Sequence, residues 1–197
     1  MKFIVITSPA FIAGEAFYIS RLFEAGLDVL HLRKPGAEAA ECARLIEQIP
    51  EQWRTRIVVH DHFGLCRDYG LQGVHLNSRN PQPPADFVPR SVSASCHSLA
   101  EVAARKSALT YMTLSPIFDS ISKQGYSTAY TADELSRAAS EGIIDSKVMA
   151  LGGITLDNIP QLRDWGFGGA AFLGDVWNRA GHDDFDDHAC QLRKALR

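Results

Sequence analysis

The feature that most constrains this chain is a repeated alternation. Short apolar runs of strand character are each followed by a helical pattern or a crossover, eight times, with no shift of composition and no linker. The expected strands are Phe3–Thr7, Val29–Arg33, Arg56–Asp61, Gly73–Leu76, Ser91–Ser95, Tyr111–Ser115, Val148–Leu151 and Gly169–Leu173. The expected helices are Glu15–Ala25, Ala37–Ile49, His62–Tyr69, Leu99–Ser107, Thr131–Glu141, Thr155–Trp165 and Asp183–Leu196. Thr131 and Glu134 are spaced as a capping box, and Pro160 requires its helix to start late or bend. The Pro-rich stretch Asn80–Pro89 reads as a loop or a shortened crossover.

Eight βα units most economically close into one (β/α)8 barrel, an α/β TIM barrel spanning residues 1–197 as a single domain. The strands are rich in Val, Ile and Leu, as parallel strands buried on both faces should be. An open dinucleotide-type sheet is the competitor. It expects a Gly-rich turn after the first strand, where Ser8-Pro9-Ala10 stands. At 197 residues the barrel is compact beside the roughly 250 typical of this fold.

A net charge of −3 provides no basic field for nucleic acid or an anionic membrane, so an anionic ligand must be held by local groups. No apolar run approaches the roughly 20 residues needed to span a bilayer. Cys42, Cys66, Cys96 and Cys190 show no paired spacing and no signal peptide is evident, so reduced thiols in a cytoplasm are expected.

In a barrel of this kind chemistry gathers where strands end and βα loops begin. The strand ends offer His31, Arg33 and Lys34, then His60 and Asp61, then His75 and Asn77, then Ser93, Ser95 and His97. After strand six, Ser120, Ser122 and Lys123 combine hydroxyl donors with a positive charge, a cradle for phosphate oxygens; on its own such a stretch is as readily a solvated loop. After strand seven, Gly152-Gly153 would let backbone approach an anion closely, unless the pair is only a plain turn. Gly174 and Asp175 follow strand eight, and a carboxylate at Asp175 would repel phosphate unless it points away. Two separated anion-competent places suggest two anionic groups in the ligands. Arg33 can fork onto phosphate and Asp61 can hold Mg2+. The histidines ending four neighbouring strands raise a second reading, a His-ligated metal hydrolase.

The ordered set Leu30-His31-Leu32-Arg33-Lys34, Val59-His60-Asp61, Gly73-Val74-His75-Leu76, Ser93-Ala94-Ser95-Cys96-His97, Ser115-Pro116-Ile117-Phe118-Asp119-Ser120-Ile121-Ser122-Lys123, Ala150-Leu151-Gly152-Gly153-Ile154-Thr155 and Gly168-Gly169-Ala170-Ala171 resembles the thiamine phosphate synthase and thiazole tautomerase family. The resemblance implies a transferase of thiamine biosynthesis. It would couple hydroxymethylpyrimidine pyrophosphate to hydroxyethylthiazole phosphate, with Mg2+, and release pyrophosphate. It implies small phosphorylated heterocyclic substrates and a homodimer. Ser120, Ser122 and Lys123 would take the pyrophosphate, with Arg33 and Asp61 on the pyrophosphate and metal side. Ser95 falls on the family's serine, and Gly152-Gly153 with Gly174 would take the thiazole phosphate. His31, Lys34 and His60 would contribute to substrate binding.

The chain also departs from the family pattern. His31 stands where Gln is usual and His60 where Asn is usual. Pro35 stands in place of a pyrophosphate-binding lysine, with Lys34 one residue early and, by strand alternation, on the opposite side from Arg33. Asn80 occupies the place of a second Mg2+ aspartate. Ser115-Pro116 occupies the place of the tautomerase histidine, which argues against that activity. A diverged member that binds or isomerises a thiazole or pyrimidine phosphate is the alternative.

Overall fold

The structure, a computed structural model, describes residues 1–119 and 130–197. Its strands are β1 (Lys2–Ile6), β2 (Val29–Leu32), β3 (Ile57–Val59), β4 (Gly73–Leu76), β5 (Ser91–Cys96), β6 (Tyr111–Leu114), β7 (Val148–Leu151) and β8 (Gly169–Phe172). Every neighbouring pair is parallel and β8 returns to β1, so the sheet closes into the expected barrel. Strand alternation sorts the side chains into two cores. Ile4, Ile6, Val29, Val58, Tyr111, Met149 and Ala171 pack inside the barrel. Phe3, Val5, Leu30 and Phe172 belong to the outer layer, under the helices, where the Phe3 and Phe172 rings meet edge to face at 5.6 Å.

The helices are α1 (Glu15–Glu24), α2 (Ala39–Gln48), α3 (Glu51–Arg54), α4 (Gly64–Asp68), α5 (Leu99–Arg105), α6 (Ala132–Ser140), α7 (Ile159–Asp164), α8 (Gly174–Trp177) and α9 (Phe185–Ala195). α1 shows how a helix hands the chain to the next strand. Ile19, Leu22 and Phe23 give it one buried face. Gly26, at φ 101°, then turns the backbone so that its N–H donates to Phe23 O while Leu27 N–H donates to Leu22 O. Leu27 is thereby buried directly ahead of β2. Leu71, Ile143 and Phe167 follow α4, α6 and α7 in the same hydrogen-bonding pattern.

The capping box forms as expected. Glu134 N–H donates to Thr131 Oγ1 (3.2 Å), and Thr131 N–H donates to the Glu134 carboxylate (2.7 Å). Pro160 sits in the first turn of α7, which starts at Ile159 after a 3-10 turn over Leu156–Asn158. Over 80–89 no helix forms, and β4 passes to β5 by the shortened crossover. Some expected boundaries shift, and two short helices were not expected. β3 ends at Val59, so His60 and Asp61 stand beyond it in the loop. The short helices α3 and α8 were not evident in the periodicity, because four residues are too few to show a 3.6-residue repeat.

Candidate active site

At the carboxyl ends of the strands lies a cavity of about 710 Å³. Arg33 after β2, Ser95 on β5, Ser115 after β6 and Gly152-Gly153 after β7 line it. Gly174 and Asp175 line it at the start of α8. The sequence reading did not single out Asn178, Arg179 and His182, which also line it, because they follow a helix too short to be recognised. α8 is held over the end of β1 by the Trp177 indole N–H, which donates to Ile6 O at 2.6 Å. The carboxylate expected to repel phosphate is tied back: Asp175 Oδ2 lies 2.6 Å from His188 Nε2 on α9.

Gly152 and Gly153 have φ of 99° and 63°, so both need the freedom of glycine. Their neighbour is the chain itself. A Cβ on Gly153 would stand 2.3 Å from Asp119 O and 2.8 Å from Phe118 Cβ. Ile117 N–H donates to Leu151 O at 3.0 Å and Phe118 N–H to Gly152 O at 3.1 Å. The glycine pair is therefore the seat on which the loop after β6 starts. Ser120, Ser122 and Lys123, further along that loop, lie outside the described residues.

On the other side of the rim the Asp61 carboxylate is already engaged. Arg79 forks onto it, Nε to Oδ1 at 3.1 Å and Nη2 to Oδ2 at 3.0 Å. Asn80 Nδ2 donates to Oδ1 at 2.8 Å and to His60 O at 3.1 Å. Placed between two acceptors, the Asn80 side chain turns its N–H face toward Asp61. Mg2+ requires near-octahedral oxygen ligands. The group beside Asp61 offers N–H donors and a guanidinium instead, and this donor set does not fit the ion. Burial and then the charge of Arg79 push the Arg33 guanidinium below its ordinary value, while Asp61 pulls it back.

Lys34 does not face the cavity. Its ammonium is completely buried against Glu15 of α1, 2.6 and 2.7 Å from the two carboxylate oxygens, and it donates to Ser8 O and Ala10 O. Its donors are spent, so the expected substrate contact is replaced by a structural ion pair. Strand alternation already pointed this way, since it sets Lys34 opposite Arg33.

His31, His60 and His75 meet inside the barrel, and their nearest ring nitrogens fall within 4.8 Å of one another. Hydrogen bonds tie His31 to His60 and Tyr111, while His75 meets the other two rings only by ring contacts and bonds to two serines. His31 Nδ1 shares a proton with His60 Nε2 at 2.9 Å, and His31 Nε2 with the Tyr111 hydroxyl at 2.5 Å. His75 lies between the hydroxyls of Ser93 and Ser95, 2.9 Å from each. Burial lowers His31 to about 3. Burial first, then the neighbouring imidazoles, holds His60 and His75 well below 6.5. All three are neutral at neutral pH. The His60 and His75 rings stack at 4.2 Å, 25° from parallel, so their in-plane lone pairs do not converge on one point. The geometry is that of a buried polar layer that orients Ser95, which reaches the cavity, rather than of the metal hydrolase.

Among the described residues no helix is long and apolar enough to cross a membrane. Comparison with known proteins agrees with the site. The sequence profile of the family described as thiamine monophosphate synthase matches residues 3–176. The thiamine-phosphate synthase of Halalkalibacterium halodurans is 26% identical over 171 residues, covering 79% of this chain and 80% of that protein. The Yersinia pestis thiamine-phosphate synthase is 26% identical over 183 residues, covering 86% and 84%. Among solved structures, the thiamine phosphate pyrophosphorylase from Bacteroides thetaiotaomicron superposes with a TM-score of 0.89 at 47% identity, covering 99% of this chain and 97% of that one. The match runs through the barrel from β1 to α8 and includes every strand end that lines the cavity, and on that ground the chain belongs to the thiamine monophosphate synthase family.

Proposed function

We propose that the protein is a thiamine-phosphate synthase. The reaction joins hydroxymethylpyrimidine diphosphate to hydroxyethylthiazole phosphate. The bond between the pyrimidine methylene carbon and the diphosphate oxygen breaks, and its electron pair leaves with the diphosphate. The lone pair of the thiazole nitrogen then forms the new C–N bond, leaving that nitrogen quaternary. No side chain needs to become a nucleophile. The protein's work is positioning and the stabilisation of charge on the departing group.

The observation that carries this reading is the convergence of Arg33, Ser95 and the Gly152-Gly153 turn on one cavity of a family barrel. Arg33 serves the diphosphate. Ser120, Ser122 and Lys123 serve it from the loop seated on Gly152-Gly153, as the hydroxyl and lysine positions of the motif suggest. Gly174, with the Gly152-Gly153 turn, faces the thiazole phosphate, with Asp175 withdrawn onto His188. Ser95, set by His75, contacts the heterocycle. His31 and His60 act behind it. Buried and neutral, His31, His60 and His75 form the layer behind Ser95, which suits an uncharged ring at that serine. The cysteines are all unpaired, and Cys42, Cys66 and Cys96 are buried, which supports a reducing compartment such as the cytoplasm.

Rates of thiamine phosphate formation by the purified protein test the assignment of the loop. The Lys123→Ala variant is expected to lose about 100-fold or more, as removal of one preorganised charge contact does elsewhere. A variant as fast as the parent overturns the role of Lys123, and a parent that makes no product overturns the function.

A further inference from the structure

We propose that Arg79 and Arg33 form a guanidinium clasp, poised on the Asp61 carboxylate, that binds the substrate's diphosphate without a divalent cation. The choice of ligand rests on the synthase reading above. In that reading the diphosphate lies beside Arg33, and a metal held by Asp61 would be its natural counter-charge. The residues around Asp61 are arranged otherwise. Arg79 makes a two-point fork to both carboxylate oxygens, and Asn80 adds an N–H to one of them. Both oxygens of the Asp61 carboxylate are in use by donors from its own chain.

The electrostatics follow from a count. Two guanidiniums against one carboxylate leave one positive charge at this corner of the rim. Arg33 is close enough to feel both the repulsion of Arg79 and the attraction of Asp61. Arg79 is well placed to turn toward a ligand, because its side chain is 45% exposed, whereas that of Asp61 is 19% exposed. A diphosphate is a better fork partner than a carboxylate. It carries more charge and presents several oxygens in the geometry that arginine matches. Asp61 is then a holder that keeps Arg79 extended until the ligand arrives. Asn80 completes the holder: its amide braces Asp61 against the carbonyl of His60, where a second carboxylate would have drawn Arg79 away.

Calorimetric titration of inorganic diphosphate into the full-length protein, once with excess EDTA and once with Mg2+, decides the matter. The parent is expected to bind in EDTA with an affinity within about tenfold of that with Mg2+, and Arg79→Gln to weaken binding in EDTA by about tenfold or more. Asp61→Asn sets the two accounts directly against each other. If Asp61 is a holder, the variant binds diphosphate in EDTA as tightly as the parent or more tightly, because a negative charge has been removed. If Asp61 is a metal ligand, the variant loses the binding that Mg2+ confers. Binding seen only with Mg2+, or binding in EDTA that Arg79→Gln leaves unchanged, overturns the clasp. Diphosphate bound in EDTA by a protein that forms no thiamine phosphate would overturn the synthase reading and leave the clasp standing.

Discussion

Lys34 follows β2 at a rim where an exposed ammonium is expected, yet it is 2% exposed and paired with Glu15. Burial pushes the Glu15 carboxyl up and the Lys34 ammonium down, and the pairing opposes both shifts. Removing one partner strands the other, which costs about 3–5 kcal/mol, whereas replacing both with apolar groups of similar size is often close to neutral. Lys34→Met is therefore expected to lower the urea midpoint sharply, and Glu15→Leu with Lys34→Met to recover much of the loss. An unchanged midpoint with lost activity would return Lys34 to the substrate. His31 gives a pH dependence. Its pKa is about 3 when folded against an ordinary 6.5, so between those values the unfolded chain binds a proton that the folded chain refuses. Above 6.5 His31 contributes nothing to the pH dependence. Below 6.5 it removes about 1.4 kcal/mol of stability per pH unit. Urea midpoints on either side of pH 6.5 check this, and His31→Gln should flatten the acid limb. The chemical types of these residues were legible in the sequence. Their partners were not, because Glu15 reaches Lys34 from α1 and Tyr111 reaches His31 across the barrel interior, at separations of 19 and 80 residues.

At the scale of elements, the loop after β6 and the turn after β7 behave as one unit. Sequence patterning located both, since glycine pairs and hydroxyl-rich loops are visible as local signals. It could not show that one seats the other, because that relation depends on the close approach of β6 and β7 in the sheet. Gly153→Ala tests it. The substitution places a Cβ 2.3 Å from Asp119 O in a left-handed residue, a conformation that costs a non-glycine residue about 1–2 kcal/mol before any clash is counted. The variant should unfold at lower denaturant and make product more slowly. Gly174→Ala is the control for folding. A Cβ there meets only Asn178 Nδ2, at 3.8 Å, so its urea midpoint should stay near that of the parent. Equal midpoints for the two variants would contradict the seating.

The whole molecule was the most legible level. Eight apolar runs with helical spacers leave few closures other than a barrel, and strand ends then name the rim without knowledge of any contact. What escaped was specific to this chain. Arg79 lies in a loop with no periodicity, and only its distance to Asp61 gives it meaning. On the proposed reading, a rim with separate places for a diphosphate and a phosphate is suited to transfer between two bound substrates, not to hydrolysis of one. The most direct test follows both phosphorus-containing products by 31P NMR when the purified protein is given both substrates. Transfer predicts one free diphosphate for each thiamine phosphate, and negligible diphosphate release when the thiazole phosphate is omitted. Diphosphate release at the same rate with and without the thiazole phosphate, and no thiamine phosphate formed, would contradict it.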